Sequence, residues 1–227
     1  MVKNGRGKCK FVVMEDTFRH KGLRKKLINE LAEKGIEDKN VLEAFDKVPR
    51  HHFLDAVFTK QAYSNMPFQI GAGQTISHPF TVAFQTQLLE IKRGDKVLEI
   101  GTGSGFQTAI LVTMGAKVNS IERQKELYLK TKPLLTKLGL NPKLKFGDGF
   151  KGWPTFAPFD KIIITCGAPF VPEELVNQLK PGGRMIIPLG EGKVQEMLLI
   201  QKAPNGDVSQ KSYGKFSFVP MLKETSK

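Results

Sequence analysis

The segment Lys96-Val97-Leu98-Glu99-Ile100-Gly101-Thr102-Gly103-Ser104-Gly105 concentrates the residue types from which a small-molecule site is built. A short apolar run carries an acid and is followed by a glycine-rich turn. A helix-compatible stretch then begins at Phe106. That order reads as the first strand, turn and helix of a nucleotide-type α/β fold. The glycine spacing narrows the ligand. A dinucleotide fingerprint, Gly-x-Gly-x-x-Gly, counted from Gly101, needs glycine at position 106, where Phe106 stands. Glu99, two residues ahead of the first glycine, would repel a pyrophosphate held at the helix N-terminus. It would favour a cation such as the sulfonium and amino group of S-adenosylmethionine.

Two more acids fall where such a ligand needs them. Glu122 ends the next apolar run, about 20 residues past the glycine turn, a position from which a carboxylate takes ribose hydroxyls. Asp148 lies between Gly147 and Gly149, placed to accept from an adenine amino group while the glycines allow close backbone approach. Glu99, Glu122 and Asp148 are therefore expected to line one crevice with Gly101, Thr102, Gly103, Ser104, Gly105 and Gly149. No Lys or Arg is expected among them. A cationic, ribose-bearing ligand suits that array better than a phosphorylated one.

The acceptor must be read from more variable segments. After the fourth strand comes Ile164-Thr165-Cys166-Gly167-Ala168-Pro169-Phe170, which offers no amide or carboxylate for an exocyclic amine and no Tyr to stack a flipped base. Cys166 lacks the surroundings of a nucleophile and reads as a small buried residue. No metal site is indicated. The segment Gln69-Ile70-Gly71-Ala72-Gly73-Gln74-Thr75-Ile76-Ser77-His78-Pro79 has flexible glycines and hydroxyls beside a helix-starting proline. Two readings are open for it. Ser77 or His78 could simply cap the next helix, with Pro79 at its first position. Alternatively, Thr75, Ile76 and Ser77 form a lid that covers the methyl donor and presents a hydroxyl to the acceptor.

The elements that position these residues follow from periodicity. Phe18 to Lys34 has helical spacing with Leu23, Leu27, Ile28 and Leu31 on one face and Gly35 as its stop. Asp38 to Val48 reads as a second helix ended by Pro49. The stretch His51 to Pro79 is long and irregular, a length usually reserved for functional loops. Pro79 to Leu89 is helical. Strands are then expected at Lys96–Ile100, Lys117–Ile121, Leu144–Phe146, Lys161–Cys166 and Arg184–Leu189. Helices at Phe106–Met114, Lys125–Leu138 and Pro172–Leu179 lie between them, and Pro181-Gly182-Gly183 forms a turn. Glu196–Gln201 and Phe216–Leu222 read as two late strands around a Pro204-Asn205-Gly206-Asp207 turn. The fold class is α/β: a doubly wound, mostly parallel sheet with helices on both faces, an antiparallel edge and an N-terminal helical extension.

Bulk composition sets the remaining bounds. The 227 residues suit one domain: a basic, frayed N-terminus over 1–15, helices and lid over 16–92, and the cofactor-binding core over 93–227. No apolar run approaches the roughly 20 residues of a membrane span, and the N-terminus lacks the apolar core of a secretory signal. Two distant cysteines give no disulfide framework, which fits a reduced cytoplasm, and the chain is separately expected to be a monomer. The net charge of +13 raises nucleic acid as an alternative acceptor. Its lysines are scattered, with the densest groups at 21–26 and 125–137 in amphipathic patterns, which reads as a solvated face.

The segments around the lid carry a further signal. Ala62-Tyr63-Ser64-Asn65-Met66-Pro67 and Gly73-Gln74-Thr75-Ile76-Ser77-His78-Pro79 resemble the protein-L-isoaspartate (D-aspartate) O-methyltransferase family. So do Val48-Pro49-Arg50-His51, the Leu98–Ala109 turn, Gly147-Asp148-Gly149, Gly152-Trp153-Pro154 and Ala157-Pro158-Phe159-Asp160. The likeness continues through Gln178–Arg184 and Ile187–Gly190, so it spans about positions 20 to 222. The glycine turn is common to many methyltransferases, whereas the Gly-Gln-Thr-Ile-Ser run is specific to this family. Departures are Asn65 in place of a common Asp, Cys166-Gly167 in place of two alanines, and Phe106 in place of a frequent Tyr.

The resemblance implies methyl transfer from S-adenosylmethionine to the α-carboxylate of L-isoaspartyl residues in damaged proteins, leaving S-adenosylhomocysteine. The ester would then close to a succinimide whose hydrolysis returns some normal aspartate. A carboxylate is ionised at neutral pH, so no general base is needed. Ser77 is the expected catalytic residue, orienting the acceptor. The competing expectations are a methyltransferase acting on nucleic acid, and a protein that binds the cofactor without catalysis.

Overall fold

The computed structural model describes residues 2–3, 9–10 and 14–226. Val2–Lys3 (β1) pairs antiparallel with Cys9–Lys10 (β2); the rest of the expected frayed N-terminus lies outside the described residues. From Met14 the chain is tied down, since the Met14 carbonyl meets His52 Nε2 at 2.9 Å and Asp16 pairs with Arg24.

Helices α1 (Phe18–Glu33) and α2 (Lys39–Lys47) form where the apolar spacing predicts. Thr17 and Asp38 cap their first turns, their side chains accepting from His20 N and from Asn40 N and Val41 N. Gly35, at φ +95°, ends α1, with Ile36 N donating to the Leu31 carbonyl. The long segment that follows is less irregular than its composition suggests. It holds two short 3-10 helices and a hairpin of β3 (Phe68–Gly71) and β4 (Gln74–Ile76). Helix α3 (Pro79–Leu89) then leads to the sheet.

The core sheet has β5 (Lys96–Ile100), β6 (Lys117–Glu122), β7 (Lys143–Phe146), β8 (Phe159–Ile164), β9 (Leu179–Leu189), β10 (Gln195–Lys202) and β11 (Val208–Phe216). Their order is β11-β10-β9-β8-β5-β6-β7, with β5 to β9 parallel and β10 and β11 antiparallel at the edge. The central strands are buried on both faces, which is why Val97, Leu98, Ile100, Ile162, Ile163 and Ile164 form near-continuous apolar runs. Helices α3, α4 (Phe106–Thr113) and α5 (Lys125–Lys137) sit over one face with α1 and α2 outside them. The opposite face carries α6 (Glu173–Gln178) and the 3-10 helix at Gly149–Lys151.

Two expectations need correction. The last strand is Val208–Phe216, not Phe216–Leu222. Almost all of β11 is exposed, so no apolar alternation marks it in the sequence. The apolar run after it instead crosses the carboxyl ends of the strands. There Met221 N donates to the Gly167 carbonyl, and Gly167 N to that of Val219. Pro181-Gly182-Gly183 belongs to β9, whose register against β8 passes from Phe159↔Leu179 to Lys161↔Arg184. The turn bulges out of the strand rather than preceding it.

Candidate active site

The glycine turn lies at the carboxyl end of β5, where open α/β sheets hold their ligands. Gly101 has φ +97°, and a Cβ there would lie 2.5 Å from Thr165 Oγ1. That hydroxyl donates to the Ile100 and Gly101 carbonyls at 3.0 and 2.7 Å. Thr131 Oγ1 donates to the Gly103 carbonyl at 2.6 Å, and Gly103 N donates to Glu122 Oε2 at 2.7 Å. The turn is thus pinned from α5, β6 and the β8 end at once, with only glycine able to occupy its tightest point.

Two cavities adjoin at this turn. The first is lined by Gly101, Gly103, Glu122, Gly149 and Cys166, with Pro220, Met221 and Leu222 of the C-terminal run across it. The second is lined by Ser77, Gln85, Thr102, Ser104, Phe106 and Gln107. Thr75, Gly101, Gly103 and Thr165 belong to both, and so form the boundary between them.

The three acids do not share one crevice as expected. Glu122 alone of the three lines the first cavity. Its oxygens accept from Gly103 N and Gln124 N, which leaves a lone pair on each for a ligand. Burial raises its pKa, opposed by those backbone N–H groups. Asp148 stands one residue from the lining Gly149, with its oxygens accepting from Phe150 N and Glu224 N. Glu99 is fully buried beneath the turn, where Oε2 accepts from Thr108 Oγ1 at 2.5 Å and Oε1 has no partner. Burial pushes its pKa up to about 7. The lining also includes Arg123, whose Nε donates to the Glu224 carbonyl, so it is not free of cations.

Ser77 separates the two readings of the lid. Position His78 precedes α3 without a side-chain cap bond. Phe80 N is instead capped by Asn65 Oδ1 at 3.0 Å, while Asn65 Nδ2 donates to Glu30. The residue that departs from the family pattern therefore anchors the lid base, and Ser77 is not needed as a cap. The Ser77 hydroxyl makes no hydrogen bond among the described residues, and its side of the lid faces the second cavity. Thr75 and Ile76 line that cavity beside it.

Sequence reasoning missed Gln85, Gln107 and Thr165. Gln85 and Gln107 are buried amides on otherwise apolar helices, and Gln107 Oε1 has no partner. A polar residue on a buried helical stripe was the available signal. Cys166 lines the first cavity, but burial pushes its thiol up to about 12, which leaves it protonated and no nucleophile.

A glycine turn at a parallel strand end, an acid ending the next strand and an adjoining polar chamber define a methyltransferase fold of the kind that uses S-adenosylmethionine. The lone pairs left on Glu122 and the glycine-only backbone fit that donor.

The family profile described as protein-L-isoaspartate (D-aspartate) O-methyltransferase matches residues 22–226, and the chain belongs to that family. A protein-L-isoaspartate O-methyltransferase of Flavobacterium psychrophilum is 56% identical over 93% of this chain and 99% of its own. One from Salinibacter ruber is 43% identical over 91% of this chain and 94% of its own. Among solved structures, one from Plasmodium falciparum described as a protein-L-isoaspartate O-methyltransferase with S-adenosyl-L-homocysteine superposes with a TM-score of 0.78. It is 25% identical, with 88% of this chain and 99% of that one covered. A second protein-L-isoaspartate O-methyltransferase gives 0.79 at 28% identity over 87% of this chain, which spans 65% of the length of that one. No helix among the described residues is long and apolar enough to cross a membrane.

Proposed function

We propose that this chain transfers the methyl group of S-adenosylmethionine to the α-carboxylate of L-isoaspartyl residues in proteins, with the donor in the first cavity and the acceptor in the second. The observation that carries the reading is the shared boundary: Ser77, with a free hydroxyl among the described residues, faces a chamber separated from the first cavity only by Thr75, Gly101, Gly103 and Thr165. The donor supplies an electrophilic methyl group on a sulfonium. Everything else is positioning and exclusion of water from a weak nucleophile.

On this reading Glu122 takes the ribose hydroxyls and Asp148 the adenine amino group. The backbone of residues 101–105 would hold the methionyl part. Ser77 donates to one oxygen of the acceptor carboxylate and turns the other toward the methyl. Among the described residues no His, Asp or Glu lines the chamber to act as a base, and an ionised carboxylate requires none. The ester product would close to a succinimide and return part of the damage to normal aspartate. Ser77→Ala is expected to keep S-adenosylhomocysteine affinity and lower turnover on an isoaspartyl peptide about a hundredfold, the scale of one lost orienting donor. Turnover equal to wild type would remove Ser77 from the reaction.

A further inference from the structure

The acceptor is an anion, yet among the described residues no Lys, Arg or His lines the chamber that Ser77 faces. An unexplained cation stands behind its wall. Arg50, at the end of the Val48-Pro49-Arg50 motif, is 1% exposed. Its Nη2 donates to the Ser77 carbonyl at 2.9 Å and to the Met66 carbonyl at 3.3 Å. Its guanidinium carbon lies 4.9 Å from the ring centroid of Phe106, a lining residue of the chamber and the first residue of α4. One side chain therefore joins the flank of the lid, the serine and the helix that starts after the glycine turn.

What Arg50 lacks is an anion. It forms no ion pair among the described residues, and its Nε and Nη1 are buried without partners. Burial pulls its pKa down to about 9, which still leaves it charged at neutral pH. A buried cation without a counter-ion is unfavourable, and packing alone would be served by an apolar side chain. Its field reaches the lid base, where His78 is held below its ordinary value by burial and by Arg50.

We propose that Arg50 is a positioning and specificity-determining residue for the acceptor: it pins the Ser77 backbone and holds a positive potential behind the chamber that favours an ionised carboxylate over any neutral isostere. This rests on the acceptor chamber assigned above. In the transfer a carboxylate oxygen forms a bond to the methyl carbon as the sulfur–carbon bond breaks and its electron pair stays on sulfur. The acceptor loses its charge in that step. The field of Arg50 thus acts on the substrate and not on the neutral ester, which lets the product leave.

The test measures binding in the complex with S-adenosylhomocysteine, where no sulfonium contributes. Calorimetry would compare one peptide carrying isoaspartate with its α-carboxamide counterpart, isoasparagine. Wild type is expected to prefer the carboxylate by about tenfold or more, because a buried charge is little screened. Arg50→Met should reduce that preference to about twofold or less and Arg50→Lys should restore most of it, with S-adenosylhomocysteine affinity within about threefold throughout. A wild type without preference, or Arg50→Met that keeps it, would overturn the proposal. The wild-type and Arg50→Lys measurements decide if Arg50→Met does not fold. Ser77→Ala keeps the two ideas apart. If it slows transfer while Arg50→Met keeps the preference, Arg50 alone is misassigned. If Ser77→Ala changes nothing, the chamber itself is misplaced.

Discussion

Glu99 shows how burial changes what a carboxylate can do. In the sequence it is an acid two residues before a glycine turn and reads as a charge facing the ligand. In the fold it lies fully buried with one oxygen on Thr108 and one on nothing, and desolvation raises it to about 7. The folded carboxyl keeps its proton up to about pH 7, whereas the unfolded one releases it near 4.5. Its contribution to stability is therefore fully present below pH 4.5 and lost as pH rises through 7. Glu99→Gln should be more stable than wild type at pH 8 without cofactor, by about 1–3 kcal/mol, and the gap should shrink toward pH 5. Urea unfolding at the two pH values measures it; a pH-independent gap would mean that Glu99 does not titrate there. Asp148 adjoins the lining Gly149, and its role is the simpler one to test. Asp148→Ala should weaken S-adenosylhomocysteine about tenfold by calorimetry, the scale of one charge-assisted hydrogen bond. Affinity equal to wild type would refute the adenine assignment.

At the level of elements, the lid is held by a side chain from outside it. Asn65 caps α3 through Phe80 N and reaches Glu30 on α1, which fixes where Ser77 and Thr75 stand relative to the turn. Asn65→Ala should lower stability by about 1 kcal/mol through the lost cap and raise KM for the peptide more than it changes cofactor affinity. Thermal unfolding with parallel kinetics checks both; an unchanged KM would show that the hairpin is held from elsewhere. The alternation of strands and helices from Lys96 to Leu189 was legible because parallel strands are buried on both faces and their helices are amphipathic. The place of Ser77 beside the glycine turn was legible too, because glycines and hydroxyls before a proline mark a lid or a cap. The choice between those two depended on Asn65, twelve residues away, which no local pattern reveals. Strand β11 was not legible because its side chains are solvent-exposed, and the C-terminal run was misread because its apolar residues serve a cavity rather than a strand. Arg50 was visible only as part of a motif; its missing counter-ion is a property of three-dimensional packing.

The whole molecule joins a basic exterior to a site with little cationic lining. With 35 Lys and Arg against 22 Asp and Glu, the surface field draws anionic partners of any kind. That field does not choose the acceptor. On the proposed reading the choice falls to the small chamber behind the lid, whose lining combines hydroxyls, amides, the aliphatic Ile76 and Val82 and the Phe106 ring. The most direct test of the account is methyl transfer from labelled S-adenosylmethionine to matched isoaspartyl and aspartyl versions of one peptide. The account predicts label in the isoaspartyl peptide alone, in a base-labile ester. Equal labelling of both peptides, or label in neither while RNA is methylated, would contradict it.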